Sequence, residues 1–380
     1  MNELLAQEYI DYRAKVRAFA EAEVKPIAVY QDEIEEFPVE LAIKMGKAGL
    51  FGITIPKKYG GQGLDYLSYI IAVEELARVD SSPAATIAAH NSLGVSPIYV
   101  FGTEEQRTTY LPELCTGEKL WAFGLTETNA GSDAKGVETI GSLENGEWTI
   151  NGGKMFITNS CSEIAKGITA QAITGEKDGK KELSAILLPR STEGYTTSPI
   201  KGKLMWRSVD NGKINFKNCK VPESNLLGKR GEGMKIMLST LDGGRLSIAA
   251  IGLGLAQGAF EMAADYASKR KQFGKSLSEF QAISFKLAEM ATKIEMARNT
   301  LYHTCRLKEA GLPFAKQAAM SKLYCSDIAR EVADDSLQIH GAFGFLKENH
   351  IERFFRDQRL LSIGEGTSEI LKMVISRYAL

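Results

Sequence analysis

Apolar residues recur at three- and four-residue steps in the first and the last third of the chain, which is the spacing of one face of an α-helix. In the opening segment this repeat runs through Leu5, Tyr9, Tyr12, Val16 and Phe19. A cluster of Pro and Gly in residues 55–65 interrupts the pattern, which resumes over residues 66–79. The first third is therefore predicted to be helical.

The middle third contains short runs rich in β-branched and aromatic residues. Residues 148–157 predict two strands joined by a turn at residues 151–153, where Asn-Gly-Gly stands. Further strands are predicted at residues 167–174, 183–189 and 213–216, with the polar stretch 175–182 as an exposed loop. These elements indicate a small antiparallel β-domain.

From about Gly231 the helical pattern returns. One helix carries a seam of apolar residues four and three apart, comprising Ile283, Leu287, Met290, Ile294, Ala297 and Leu301. It is predicted to stop at Gly311, and residues 314–340 contain no Gly or Pro and predict a second long helix. Two such helices indicate an up-and-down bundle.

Composition and charge exclude several classes. The net charge of -1 does not favour a nucleic-acid partner. The N-terminal segment lacks the apolar core of a signal peptide, and no run approaches the roughly 18 apolar residues of a membrane span. A cytoplasmic location is expected. The five cysteines and four histidines show no metal-ligand spacing, so no metal site is predicted.

Several glycine-rich or basic segments have simple structural explanations when each is taken alone. No G-x-G-x-x-G opens a βαβ unit, and the glycines of 252–258 favour close helix packing. The cations of 268–274 suit a helix C-terminus, with a phosphate clamp as the alternative. Gly341 is expected to cap a helix, whereas Gly344 needs a second reason, such as close approach of a ligand.

The segment IGEGTSEI (363–370) places Glu365 between Gly364 and Gly366, and Thr367 is predicted to N-cap a final helix. Glu365 is then either a solvated acid beside the helix N-terminus or a mobile catalytic carboxylate. Burial against a ligand would raise its pKa and make it a better base.

Eight segments, in this order, together resemble the acyl-CoA dehydrogenase family over essentially the whole chain: residues 55–65, 123–133, 150–159, 221–234, 241–245, 270–281, 338–345 and 356–370. The short-chain and butyryl-type members look most similar. The resemblance implies an α+β, mostly α fold. Its parts would be an N-terminal α-helical domain (1–118), a middle β-barrel domain (119–225) and a C-terminal four-helix bundle (226–380).

The resemblance also implies a non-covalently bound FAD. One group of contacts would come from the loop after the first strand and from a later strand: Phe123, Leu125, Thr126, Gly131, Ser132, Phe156, Ile157 and Thr158. Arg270, Phe273 and Gln281 would serve the pyrophosphate and adenosine part, and Thr367 and Glu369 would contact FAD at the last helix. The 338–342 turn, with Gln338, Ile339 and Gly341, would touch FAD of a neighbouring subunit in a homo-oligomer, usually a tetramer.

Glu365 matches the position of the family's catalytic base. It would remove a proton from Cα of an acyl thioester while Cβ delivers hydride to flavin N5, and its own amide would polarise the thioester carbonyl. Some relatives carry the base at the position of Gly244, which cannot serve here. Substrate contacts would be Ser132, Asp242, Arg245, Gly364 and Gly366, with Asp242 and Arg245 near the CoA portion. Electrons would pass to an electron-transfer flavoprotein, as in fatty acid metabolism.

The chain departs from the family's pattern at Thr128, Ala342 and Gly364. An aromatic residue commonly stands where Gly364 stands, so its loss should reshape the acyl pocket. The hypothesis is a branched, substituted or carrier-protein-bound acyl group rather than a plain short chain. Three alternatives remain at this point: an oxygen-using oxidase, a dehydrogenase of carrier-protein thioesters, and a scaffold that has lost FAD.

Overall fold

A computed structural model describes residues 5–380 of the chain. Helices occupy the first third, with bounds α1 Gln7–Phe19, α2 Ala28–Ile34, α3 Val39–Lys47, α4 Tyr66–Ala77, α5 Ser81–Ala89, α6 Ser96–Phe101 and α7 Glu104–Thr116. Asp65 accepts from the Ser68 N–H at 2.8 Å and so begins α4 after the glycine-rich break. The predicted helix over 66–79 is confirmed.

Eight strands form one sheet in the order β6-β7-β3-β2-β4-β5-β8, with β1 paired to β4. Their bounds are β1 Leu120–Gly124, β2 Ile140–Glu144, β3 Glu147–Thr158, β4 Ala165–Lys177, β5 Lys180–Pro189, β6 Tyr195–Pro199, β7 Asn211–Pro222 and β8 Leu226–Leu227. Most pairings are antiparallel, but β1 and β2 run parallel to β4. The expected antiparallel domain is thus a mixed sheet.

Two predictions in this region are wrong. Residues 151–153 do not turn but lie inside the continuous strand β3. The hairpins instead turn at Asn145-Gly146 and Asp178-Gly179, where both residues of each pair have positive φ, as a two-residue hairpin requires. The second turn reduces the predicted loop 175–182 to two residues between β4 and β5.

The last third consists of long helices. Their bounds are α8 Gly233–Lys269, α9 Gln281–Glu309, α10 Ala315–His340, α11 Ile351–Asp357 and α12 Ser368–Ala379, with the short strands β9 Lys271–Gln272 and β10 Lys275–Ser276 between α8 and α9. Helix α10 packs against α8, α9 and α12, and α8 packs against α9, which makes a bundle of four helices. The two long helices predicted from the sequence are confirmed.

Helix α8 is the centre of the molecule, because α4 and α5 also pack on it. A Cβ at Gly254 would lie 2.2 Å from the Glu74 carbonyl of α4, and one at Gly252 would lie 2.8 Å from the Cys325 carbonyl of α10. These glycines therefore permit the close helix packing that their positions predict. By length and composition α8 could cross a membrane, but 78% of its most apolar window is buried inside the protein, as expected of a core helix.

Gly341 ends α10 with φ of 59°, as predicted for a helix cap. A Cβ at Gly344 would lie 2.6 Å from the Leu337 carbonyl. The second reason for Gly344 is therefore contact with the end of α10, and the expected ligand contact is not needed to explain it.

Candidate active site

Glu365 lies in the short segment that enters α12. Its φ of 53° is left-handed, which is uncommon for a residue with a side chain and marks local backbone strain. Thr367 accepts a hydrogen bond from the Ile370 N–H at 3.3 Å and so is the predicted N-cap of α12. The cap fixes one end of the strained segment.

The Glu365 carboxylate rests on helix α8 at Gly244. A Cβ at Gly244 would lie 2.0 Å from Oε2 of Glu365, so only glycine leaves room for the carboxylate there. The same Cβ would lie 3.0 Å from the Leu93 side chain, which belongs to a π-helical turn, His90–Val95. Such turns are frequent at functional sites. Three separate elements thus converge at the acid.

Glu365 lies in an environment that raises the pKa of its carboxyl group. Its Oε2 is shielded from solvent and has no hydrogen-bond partner within residues 5–380. Burial raises the pKa of Glu365 to about 7, although the positive charges of Lys322 and Arg245 oppose the rise. A carboxyl group with that pKa is matched to proton abstraction near neutral pH.

Arg245 and Asp242 lie one helical turn apart on α8. Their side chains form an ion pair at 2.6 Å, and the buried Nε of Arg245 has no partner in the described chain. Burial raises the pKa of Asp242. The Tyr66 hydroxyl of α4 donates to the Gly243 carbonyl at 2.7 Å, which fixes this turn of α8 beneath Glu365.

Lys322 of α10 is a site residue that the motifs did not reveal. Its side chain is fully buried, and its ammonium donates to the Gly366 carbonyl at 2.7 Å. A signal was present in the sequence, because Lys322 is a charged residue on the helical stripe of Ala318, Cys325 and Ala329, all of which are buried.

The first group of predicted FAD residues lies at the carboxyl ends of β1 and β3 and in the loop that follows β1. The Met155 N–H donates to the Thr126 carbonyl at 2.9 Å, which joins the loop after β1 to β3. At a register shift in β3, Phe156 has φ of 60° and is 60% exposed, whereas Ile157 is buried. Gly131 faces open space and Ser132 is exposed.

The second group forms a separate patch around the turn between α8 and α9. The Arg270 guanidinium lies 5.5 Å from the centre of the Phe343 ring, which links it to the 338–345 turn. Phe273 is 95% exposed, and Gln281, Gln338 and Gly341 are exposed as well, whereas Ile339 is buried. Within residues 5–380 no hydrogen bond, ion pair or ring contact joins this patch to the first group.

The remaining predicted residues lie close to Glu365 along the chain. Gly366 has φ of 101°, which a side chain rarely adopts. Gly364 has no such requirement, because a Cβ there would meet only Leu360 at 3.7 Å. Glu369 is exposed in the first turn of α12. No group of three metal-ligating side chains occurs in the described part of the chain.

These features define a protein of helical, β and helical-bundle parts with a solvent-shielded carboxylate oxygen, Oε2 of Glu365, that has no hydrogen-bond partner within residues 5–380. Three family models match: the acyl-CoA dehydrogenase N-terminal domain over residues 6–118, the middle domain over 122–219 and the C-terminal domain over 231–380.

Known proteins agree with this match. The chain is 45% identical to the probable acyl-CoA dehydrogenase YngJ of Bacillus subtilis (strain 168), with 100% of both chains covered. It is similar to the butyryl-CoA dehydrogenase structure from Megasphaera elsdenii, with TM-score 0.95, 39% identity, and 99% and 98% of the two chains covered. A structure described as the electron transferring flavoprotein of Acidaminococcus fermentans contains a similar chain, with TM-score 0.96, 41% identity and 100% of both chains covered.

The chain therefore belongs to the acyl-CoA dehydrogenase family. Members of this family use FAD to dehydrogenate acyl-CoA thioesters, and the chain is an oxidoreductase of this class.

Proposed function

We propose that this FAD-dependent acyl-CoA dehydrogenase uses Glu365 to remove the α-proton of an acyl thioester. The observation that carries the proposal is the solvent-shielded Oε2 of Glu365, which has no partner in residues 5–380. Burial raises the pKa of this carboxyl to about 7. An unpartnered acid that titrates near neutral pH is ready to accept a proton from a substrate.

The neighbouring backbone supports the same reaction. Within residues 5–380 no carbonyl accepts a hydrogen bond from the Glu365 N–H, so this donor is free for the thioester oxygen. As Glu365 Oε2 takes the proton from Cα, negative charge develops on the thioester carbonyl oxygen. An amide N–H that donates to this carbonyl oxygen lowers the barrier. Arg245 and Asp242 would bind the CoA portion beside the acid.

The residues at the carboxyl ends of β1 and β3 fit FAD. Phe156 of β3 is exposed next to the buried Ile157, and its ring offers a flat apolar surface to a planar ring system. Thr126 and Thr158 would supply hydroxyl groups next to it, with the main chain of 123–132 close by. When bound, FAD supplies the acceptor for the hydride that leaves Cβ.

The second patch supports a homo-oligomer, which we propose to be a tetramer. Phe273 is almost fully exposed and its ring lies 6.3 Å from that of Phe280, and such an exposed apolar side chain is typical of a subunit contact. Arg270, Gln281 and the 338–342 turn would then reach the FAD of a neighbouring subunit. We also propose an electron-transfer flavoprotein as the electron acceptor and a cytoplasmic location, in keeping with five free cysteines.

We propose that Gly364 widens the acyl pocket. Residue 364 directly precedes the base, and a side chain could be accommodated there because Leu360 is the nearest neighbour, at ordinary contact distance. The missing side chain would leave space for a branched or substituted acyl group, or for a thioester presented by a carrier protein.

The function is tested by anaerobic flavin reduction. The purified holoprotein should be yellow and should bleach with at least one member of a panel of straight, branched and carrier-bound acyl thioesters. Glu365→Gln should bind FAD normally and fail to bleach. A colourless protein that cannot be reconstituted with FAD, or normal bleaching by Glu365→Gln, would refute the proposal.

The pocket is tested by comparing kcat/KM across the same panel for the wild type, Gly364→Tyr and the control Gly364→Ala. The wild type should prefer a branched or substituted thioester, and Gly364→Tyr should shift preference towards butyryl-CoA by about tenfold. If the wild type already works best on butyryl-CoA, the pocket hypothesis is wrong.

A further inference from the structure

Lys322 is an unusual residue for the interior of a helix bundle. Its side chain is completely buried, yet its ammonium has a single hydrogen bond, to the Gly366 carbonyl at 2.7 Å. A buried ammonium is costly unless it is paired with an opposite charge. Within the described residues no carboxylate lies within ion-pairing distance of it. Packing alone therefore does not explain a lysine at this position.

The hydrogen bond of Lys322 reaches the segment that holds Glu365. Gly366 directly follows the base, and both residues have positive φ, 53° for Glu365 and 101° for Gly366. A strained segment persists only where its surroundings hold it. Lys322 fixes the carbonyl on one side of this segment, and the Thr367 cap fixes the next residue.

The charge of Lys322 acts on the same carboxylate. Among the charges near Glu365, that of Lys322 lowers the pKa of Glu365 most. Among the charges near Lys322, that of Glu365 raises the pKa of Lys322 most. Arg245 is the other cation near Glu365, but its charge is partly neutralised by Asp242 at 2.6 Å. The charge of Lys322 therefore remains available to Glu365.

We propose that Lys322 is a positioning residue for the reaction, which holds the Gly366 carbonyl and keeps a positive charge near Glu365 without bonding to its carboxylate. The carboxyl of Glu365 is thereby more ionised than burial alone would allow, while its oxygen remains free for the substrate proton. This inference rests on the proposed role of Glu365 as base.

The titratable and charged groups around Glu365 and Lys322 determine the direction in which the pKa of Glu365 should change when Lys322 is removed. Glu365 is faced by Arg245 of α8, whose ion-pair partner is Asp242, and by Tyr66 and Tyr69 of α4. Lys322 is also faced by Arg245, by Asp327 of its own helix and by Glu369 of α12. Because a nearby cation lowers the pKa of a carboxyl, removing Lys322 should raise the pKa of Glu365. The acidic limb of the rate profile should then move to higher pH.

The test compares the wild-type holoenzyme with Lys322→Met, which removes the charge and the hydrogen bond, and Lys322→Gln, which keeps a donor but no charge. Lys316→Met, on the same helix, is the control. The measurement is the anaerobic rate of flavin reduction against pH with a thioester that bleaches the wild type. Infrared titration of the Glu365 carboxylate band, assigned with Glu365→Gln, gives an independent value of its pKa.

Both Lys322 variants should move the midpoint of the acidic limb, and the infrared midpoint, up by about one pH unit, which is about tenfold in rate at low pH. At high pH, the rate of flavin reduction should come closer to the wild-type rate in Lys322→Gln, which keeps a hydrogen-bond donor, than in Lys322→Met. The control should keep the wild-type midpoint. An unmoved midpoint with a rate lowered equally at all pH values would overturn the inference, as would failure of both variants to fold, since Lys322 would then be purely structural.

The two proposals fail differently. If no thioester bleaches the wild type, or if Glu365→Gln bleaches normally, the proposed function falls and this inference falls with it. If the wild type bleaches, Glu365→Gln does not, and the Lys322 variants keep the wild-type midpoint, only the inference is wrong.

Discussion

The molecule contains two buried lysine–glutamate arrangements with opposite designs. In the β-domain, Lys154 contacts Glu127 directly at 2.6 Å, and Glu127 also accepts from the Thr139 hydroxyl at 2.6 Å and the Glu138 N–H at 2.6 Å. In the bundle, Lys322 bonds to a backbone carbonyl instead, and Glu365 Oε2 has no partner within residues 5–380. The lysine and the glutamate form a direct ion pair in the β-domain but not in the bundle.

The difference appears in the two carboxyl groups. Burial acts to raise the pKa of each, but for Glu127 the charge of Lys154 and the hydrogen bonds outweigh burial, so the pKa is lowered. For Glu365 burial wins and the pKa rises to about 7. Burial lowers the pKa of both lysines to about 8. Direct contact makes a stable, unreactive ion pair, whereas separation leaves a carboxylate that can take up a proton.

The largest expected effect separates the two acids by activity. Glu365→Gln should lower the rate of flavin reduction by about 10²- to 10⁴-fold, the range of a general base, with FAD content unchanged. Glu127→Gln should change the rate per bound FAD only a few-fold, because Glu127 is already satisfied. Stopped-flow reduction of FAD-saturated protein checks both. Equal losses of rate in Glu365→Gln and Glu127→Gln would show that the two acids do not differ in function.

The next effect concerns stability. Lys154→Met should lower the free energy of unfolding by about 3–5 kcal/mol, because Glu127 is left buried without its counter-ion. Lys154→Met/Glu127→Gln should recover part of this loss. Urea denaturation monitored by circular dichroism measures both. A single variant as stable as the wild type would show that the pair in the β-domain is not a structural one.

A third test uses pH. Because the folded-state pKa of Glu365 is raised, the stability it contributes is present below the unfolded value of 4.5 and is lost as pH rises through about 7. Glu365→Gln should therefore be more stable than the wild type at pH 8, by on the order of 2 kcal/mol, and nearly equal to it at pH 5. Glu127 has a lowered pKa, so its contribution is instead lost as pH falls. Thermal unfolding of the FAD-free proteins at both pH values checks the signs, and a gain at pH 5 but not at pH 8 would contradict them.

The smallest effect concerns the helix cap beside Glu365. Thr367→Ala should cost about 1 kcal/mol of stability and slow flavin reduction several-fold, because the segment that carries the base is loosened. Thr103→Ala removes the cap of α7, where Thr103 accepts from the Gln106 N–H at 3.1 Å, and serves as the control. It should cost similar stability without slowing the reaction. Identical rates in Thr367→Ala and Thr103→Ala would show that the cap at Thr367 does not affect the reaction.

The helices, the glycine packing of α8 and the cap at Thr367 were predicted correctly from the sequence, because they depend on local periodicity and on short-range hydrogen bonds. It misplaced one hairpin, because Gly152 and Gly153 serve close packing inside the sheet. A Cβ at Gly152 would lie 2.7 Å from Cα of Thr139, and one at Gly153 would lie 2.8 Å from the Ile214 carbonyl. The same Asn-Gly chemistry makes the true turn at Asn145-Gly146.

For the candidate active site, the motifs pointed to Glu365 but not to the environment that raises the pKa of its carboxyl group. The shielding of Oε2, the contact with Gly244 and the position of Lys322 all depend on residues more than 40 positions away along the chain. Such relations arise only when α8, α10 and the segment before α12 are packed together. Lys322 could have been suspected from the helical stripe it interrupts, but its target could not.

Gly244 has a consequence for how related chains should be compared. A Cβ at Gly244 would lie 2.0 Å from Oε2 of Glu365, so the position proposed for the proton-accepting oxygen can be reached from either of two backbone residues, Glu365 and Gly244. In the proposed mechanism an acid could therefore occupy the same position from either residue, but not from both, because the two side chains do not fit together. A relative without an acid at the position of Glu365 should be inspected at the position of Gly244 before it is judged inactive.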